Sequence, residues 1–305
     1  MKITSISTPP KRQEQRGTKK MFSSNLRSEY VLFHYVHFLN CLPPADAGGA
    51  RRVFEDVEMI TGRYGRLRGV QQSISNGAEL ISAFKKIENS IEESNIPLIH
   101  IDAHASQAQG IGFYSADNEH PEYIGWDTVA NALGRINLKT NNRLFLVLCA
   151  CSAFKINAEI KPYSVAPFSV CLSPHGKITL QQIESSFIIF YRKLTCEMNL
   201  TAAYAAIKKK FEMTSSEYFL KEVLIEMGMK NIGKDGKKTR EGLLTDLIKK
   251  HPNIDKKQAR KHIKNTLTLT ETGLQKISST YLCGRPFPFT ASEITTEARK
   301  RSIAS

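Results

Sequence analysis

A histidine and a cysteine each stand at the end of a strongly apolar run in this chain. His104 closes Pro97-Leu98-Ile99-His100-Ile101-Asp102-Ala103-His104, and Cys151 closes Arg143-Leu144-Phe145-Leu146-Val147-Leu148-Cys149-Ala150-Cys151, 47 positions later. A thiol beside an imidazole is a nucleophile with its base. Free cysteine has a pKa of about 8.5 and is only a few per cent thiolate at neutral pH, so the ring must take its proton and later return it to a leaving amine. Such a pair attacks an acyl carbon. The oxyanion that forms needs backbone donors, and the N–H groups of Cys151 and Ala105 are the expected pair. Losing one such donor costs about 3–4 kcal/mol of transition-state stabilisation.

Neighbouring residues offer rival chemistry. Strand alternation puts Cys149 on the face of Cys151, and His100 and Asp102 on the face of His104. Cys149 is therefore a second candidate nucleophile, although a strand interior is less accessible than its end. A lone strand cysteine is most often a small core hydrophobe. It is the joint occurrence with His104 that points to catalysis. The spacing His100-x-Asp102-x-His104 is similar to the D-A-H-x-D strand end of the binuclear manganese ureohydrolases. Ser106 stands where the next aspartate is required, however, and no D-x-D or G-G-D-H stretch follows. Two oxygen-rich metal sites need more carboxylates than this, so no metal and no cofactor is expected.

Both runs are short and continuously apolar, as buried parallel strands are, and a buried strand is a rigid mount for a reactive side chain. The elements around them follow from pattern. Tyr30–Leu39 reads as a first strand, a helix follows from about 50 to 61, and 69–74 as a short strand. Asn76 caps a helix carrying Leu80, Ile81, Phe84, Ile87 and Ile91 on one face. A hairpin is expected within Gln109–Glu122, and Asp127 is expected to cap a helix presenting Val129, Leu133 and Ile136. Asn141-Asn142 turns the chain into the Cys151 strand. Phe168–Leu172 reads as a further strand, and helices are expected over 179–197 and 200–212. This order predicts a layered α/β/α fold with a mainly parallel central sheet. Ligand sites in such sheets lie beyond the carboxyl ends of the strands, where His104 and Cys151 both fall.

Composition bounds the rest. With 305 residues and 41% apolar content the chain suits one large domain, or a domain of about 200 residues with appendages. No apolar stretch approaches a membrane span, and Lys2 is not followed by the apolar segment of a secretory signal. Six cysteines, at 41, 149, 151, 171, 196 and 283, form no C-x-x-C pair, which fits a reducing cytoplasm. The net charge of +14 gathers at the ends: residues 1–28 hold seven Lys/Arg against one acid, and 206–305 hold twenty-one against eleven. We therefore expect a disordered basic tail over 1–28, a catalytic domain over 29–228 and a basic helical extension over 229–305. In that extension Gly233–Gly236 reads as a turn, 238–250 and 255–266 as helices, Tyr281-Leu282-Cys283 as a returning strand and the last dozen residues as loose. Basic faces of this kind are solvated or dock an acidic partner or activator. No aromatic-interleaved basic motif or zinc-finger spacing supports nucleic-acid binding.

The stretch Pro97–Ala153 resembles the caspase–hemoglobinase superfamily of cysteine peptidases, and within it the bacterial caspase-like CHAT type. The resemblance rests on His104-Ala105, Trp126, Asn137 and Ala150-Cys151-Ser152. Further on it rests on Val170-Cys171-Leu172-Ser173-Pro174 and Phe190-Tyr191-Arg192, and it spans roughly 30–215. It implies a caspase-like fold and a His104/Cys151 dyad that cleaves a protein substrate at few sites. It also implies a place in bacterial defence, where such enzymes release gasdermin-like effectors. In the superfamily the residue two before the nucleophile lines the substrate pocket. Cys149 holds that position, and Asp102 either adds an acidic wall or orients His104. The chain departs at Ala105, where the family has glycine. A methyl there crowds the oxyanion site and favours the alternative of an inactive caspase-like scaffold binding a partner through its basic C-terminal region.

Overall fold

A computed structural model describes residues 33–64, 68–92, 96–114, 120–197, 199–231 and 233–304. The expected tail over 1–28 lies outside them, as does the start of the first expected strand. The first half runs β1 (Tyr35–Asn40), α1 (Gly48–Tyr64), β2 (Arg68–Ser73), α2 (Gly77–Ser90), β3 (Pro97–Asp102), β4 (His104–Ser106), β5 (Gly110–Phe113), β6 (Glu122–Ile124), α3 (Trp126–Lys139) and β7 (Phe145–Cys149). The second half runs through a 3₁₀ turn (Ala153–Glu159), β8 (Val170–Pro174), α4 (Leu180–Glu197), α5 (Leu200–Ile207), β9 (Phe211–Ser215) and α6 (Ser216–Lys230). It ends with α7 (Gly233–Lys250), α8 (Lys256–Leu267), α9 (Glu271–Tyr281) and α10 (Ala291–Ala304).

Six strands form the central sheet in the order β2-β1-β3-β7-β8-β9, parallel except for the antiparallel edge strand β9. β3 and β7 are buried along their whole length because they lie at the centre with helices on both faces. Their alternation divides the core in two. Leu98, Phe145 and Val147 face an aromatic layer of Phe187, Phe190 and Tyr191 from α4, with Val53 and Val57 from α1. Ile99, Ile101, Leu146 and Leu148 face the other way, onto α2, α3, α6, α9 and α10. The expected layered α/β/α architecture is present. Among the described residues no helix is long and apolar enough to cross a membrane.

Two polar devices set the key strands in place. Asn76 accepts from the Glu79 N–H and starts α2. Asn137, fully buried at the end of α3, donates to Asn142 Oδ1 and the Ala166 carbonyl and accepts from the Leu144 N–H. It fixes the turn at Asn141 and Asn142, both with positive φ, that delivers the chain into β7. The expected hairpin is a small antiparallel sheet, β4-β5-β6. It needs Gly110, whose φ of +100° and closeness to the Ile124 carbonyl leave no space for a Cβ.

Several expectations are corrected. Asp127 lies inside the first turn of α3, and Gly125 occupies its N-cap without a side-chain cap. The expected helix over 200–212 stops at Ile207, and Phe211–Ser215 pairs along β8 as an edge strand. Phe211 and Met213 point into the core, a two-residue alternation too short to outweigh the helical run before it. Gly233–Gly236 begins α7 rather than forming a turn. Tyr281 ends α9, and Cys283 and Gly284, at φ of 55° and 83°, terminate it, so no strand returns there. The last dozen residues, expected to be loose, are helical through Ala304, the end of α10. Thr290 and Glu293 cap it reciprocally, a T-x-x-E signal, and its buried stripe of Ala291, Ile294 and Ala298 is too small-sided to look apolar. The compositional change near 229 coincides with α7 and α8, which share a small core of Leu244, Ala259 and Ile263. By contrast, α9 and α10 rejoin the main core.

Candidate active site at the carboxyl edge of the sheet

The sheet has a topological switch point. From β1 the chain moves to β2 on one side and returns to β3 on the other, the arrangement at which ligand sites of parallel sheets form. Asn40 and Asp102 are register partners at those two ends, and the Cys41 N–H donates to the Asp102 carbonyl at 2.8 Å. Five residues beyond Cys41, Asp46 accepts a hydrogen bond from His104 Nε2 at 2.9 Å, the two side chains being 38% and 37% exposed. The Tyr114 ring meets the His104 ring edge-on, centroids 5.2 Å apart. Asp46 was not singled out from the sequence. It stands in a loop between Pro43-Pro44 and Gly48-Gly49, and nothing local announces that this loop faces His104.

Cys151 lies at the same end of the adjacent strand. Asp102 and Cys149 are register partners, and the Ala103 N–H donates to the Cys149 carbonyl at 3.2 Å. His104 and Cys151 each follow two residues later. The chain turns tightly at Cys151, the Ala153 N–H donating to the Ala150 carbonyl at 3.2 Å with Ser152 at a left-handed φ of 60°. Non-glycine residues take that conformation uncommonly, and such strain clusters at functional turns. Cys151 is a free, part-exposed thiol. Ala105 lies in β4 opposite Ile111, with its methyl against the core. The Trp126 indole donates to the Ser106 carbonyl at 3.1 Å, which anchors the small sheet to the start of α3.

Deeper along β3 and β7 lies a second cluster. His100 Nε2 is 3.1 Å from Asp102 Oδ2, and His100 Nδ1 is 2.8 Å from the Tyr191 hydroxyl. The Cys149 sulfur lies within 4.8 Å of a ring nitrogen of His100 and a carboxylate oxygen of Asp102. All three are sealed: His100, Asp102 and Cys149 are 0%, 3% and 1% exposed, roofed by the Phe187 and Tyr191 rings. Burial, and then the Asp102 carboxylate, push the Cys149 thiol well above its ordinary range. The cluster is a close His/Cys pair of a kind compatible with cysteine chemistry, but as folded it offers no face to a substrate. Asp102 turns to His100, so the carboxylate that orients His104 is Asp46. A substrate side chain would reach Asp102 or Cys149 only after the interior repacked.

Two grooves flank the rim. One of about 730 Å³ is bordered by Asp46, Arg52, Leu180, Glu184 and Ile188, with Arg52 and Glu184 joined by a bidentate ion pair at 2.6 Å. The other, of about 400 Å³, lies between Gln107, Trp126 and the 3₁₀ turn that follows Cys151.

No protein-family model and no curated protein matches the chain. Among solved structures it is similar to the crystal structure of Chaetomium thermophilum Raptor, with 10% sequence identity and a TM-score of 0.33 over 89% of this chain and 28% of that one. The chain spans less than a third of that protein's length, and a likeness at this level establishes neither fold nor activity. What stands on the molecule's own geometry is an α/β fold with a mostly parallel sheet, a buried His/Cys/Asp cluster within it, and an accessible histidine and cysteine at its carboxyl edge.

Proposed function

We propose that the chain is a caspase-like cysteine endopeptidase in which Cys151 is the nucleophile and His104 its base. The observation that carries this reading is the His104–Asp46 hydrogen bond over the switch point, beside a strand that ends in a part-exposed thiol. His104 takes the Cys151 proton as sulfur attacks the peptide carbonyl carbon. Asp46, holding Nε2–H, favours the imidazolium that results. The Cys151 and Ala105 N–H groups donate to the oxyanion. The C–N bond then breaks as His104 returns the proton to the leaving amine, and water hydrolyses the thioester.

The substrate is a protein laid across the rim, its chain following the groove beside Asp46. By the family resemblance it is a gasdermin-like or other effector cleaved at few sites in the bacterial cytoplasm. The exposed Lys249, Lys250, Lys256, Lys257, Lys261 and Lys264 of α7 and α8 form the surface for an acidic partner or activator. A thiol-reactive peptide electrophile, followed by mass spectrometry of the intact chain, tests the reading. A single adduct at Cys151 that is lost in C151A and slowed in H104A is the expected result. An unlabelled wild-type protein would favour the inactive scaffold.

A further inference from the structure

The inner cluster has no part in that mechanism, and its geometry is that of a ligand set. His100 and Asp102 are two residues apart on one face of β3, and Cys149 is the register partner of Asp102 on β7. One donor atom from each, a ring nitrogen, a carboxylate oxygen and a sulfur, lies within 4.8 Å of both others, and all three residues are buried. His100 Nε2 is buried and lacks a hydrogen-bond partner, although it is 3.1 Å from Asp102 Oδ2: the two atoms are close but misdirected for a hydrogen bond. Nδ1 is engaged by the Tyr191 hydroxyl at 2.8 Å. With Nδ1–H donating to that oxygen, Nε2 presents a lone pair to a carboxylate and a sulfur, three electron-rich atoms converging on one another. A cation resolves that convergence.

We propose that His100 Nε2, an Asp102 carboxylate oxygen and Cys149 Sγ bind a divalent cation of the zinc class. A neutral imidazole, a carboxylate and a thiolate together carry two negative charges, which one divalent ion cancels inside the sheet. The mixed N, O and S donors select zinc or cobalt over magnesium or calcium, which take oxygen alone. Binding releases the Cys149 proton. Tyr191 then plays the outer part that fixes the tautomer and orientation of a metal-bound imidazole. The ion ties β3 to β7 one step beneath His104 and Cys151. The proposal is independent of peptidase activity.

Cobalt(II), added to the full chain after chelator treatment and during refolding, is the probe. The expected result is one cobalt per chain with a thiolate-to-cobalt charge-transfer band, displaced by zinc, absent in C149S and H100Q and retained in C151A. Zinc at a hundred times its Kd should shift the folding equilibrium of wild type about 100-fold toward the folded state. X-ray absorption on the wild-type complex should show one sulfur among nitrogen and oxygen ligands, which decides the matter if C149S does not fold. No thiolate band after refolding, a band that survives in C149S or is lost in C151A, or a coordination shell without a single sulfur would overturn the site.

Discussion

Two sets of the same residue types lie along β3 and β7 and just beyond their ends, the cysteines two positions apart and the histidines four. His100, Asp102 and Cys149 lie inside the sheet, and His104 and Cys151 lie at its rim, where Asp46 supplies the carboxylate. The inner set brings a ring, a thiol and an acid together, and at the rim a ring and an acid are joined at the end of the strand neighbouring the one that runs into Cys151. Their environments send them to different chemistry. Inside, burial holds Cys149 as a thiol and suits the cluster to structure or to a cation. At the rim, a part-exposed sulfur and a ring tethered by an exposed acid remain open to a substrate. Residue type proposes the chemistry; depth in the fold selects it.

The comparison breaks most sharply at the nucleophile. C151A should lower peptide cleavage by on the order of 10⁴- to 10⁶-fold while changing unfolding free energy by no more than about 0.5 kcal/mol. Kinetics and denaturant melts on one preparation measure both. Activity that survives C151A but is lost in C149A, with folding retained, would exchange the roles of the two layers. His100→Ala should show the opposite profile. Removing the buried ring leaves a cavity beside Phe38 and Phe187 and takes the partner from the Tyr191 hydroxyl, and such large-to-small core changes cost about 3–5 kcal/mol, read as a lower urea midpoint.

Alkaline pH should weaken the fold through its buried thiols. Burial, aided by Asp102 at Cys41 and Cys149 and by Glu212 at Cys171, raises these three thiols above the ordinary cysteine range. Groups whose folded pKa is raised contribute fully below the unfolded pKa and lose that contribution as pH rises. Metal-free protein should therefore lose about 3 kcal/mol of stability between pH 9 and pH 10, and a flat stability profile across that interval would count against the assigned burial. The smallest effect is expected at Asp46. D46N keeps the shape but weakens the hold on His104, and because both groups are over a third exposed the loss in kcat/KM should be about tenfold. A fall in stability with kcat/KM unchanged would make Asp46 structural only.

Much of the frame was legible locally. Two continuously apolar runs marked β3 and β7, Asn76 announced α2, and the order of elements implied a layered sheet. The misses share a cause. The amphipathic edge strand β9 is five residues long and follows a helix, α10 buries mostly alanine, and Tyr281-Leu282-Cys283 has strand-like residues that complete a helix instead. Short or small-sided segments owe their conformation to the surface they meet, and that surface lies elsewhere in the chain.

By itself the sequence determined which residues could react and which strands would carry them, because apolar runs and their two-residue period are properties of adjacent positions. Tertiary structure alone decided that Asp46, 58 positions away, holds His104, and that Tyr191, 91 positions from His100, roofs the inner cluster. It also decided which cysteine is sealed and which is open. Those outcomes depend on strand order and on how loops meet at the switch point, and neither is written in any local stretch of chain.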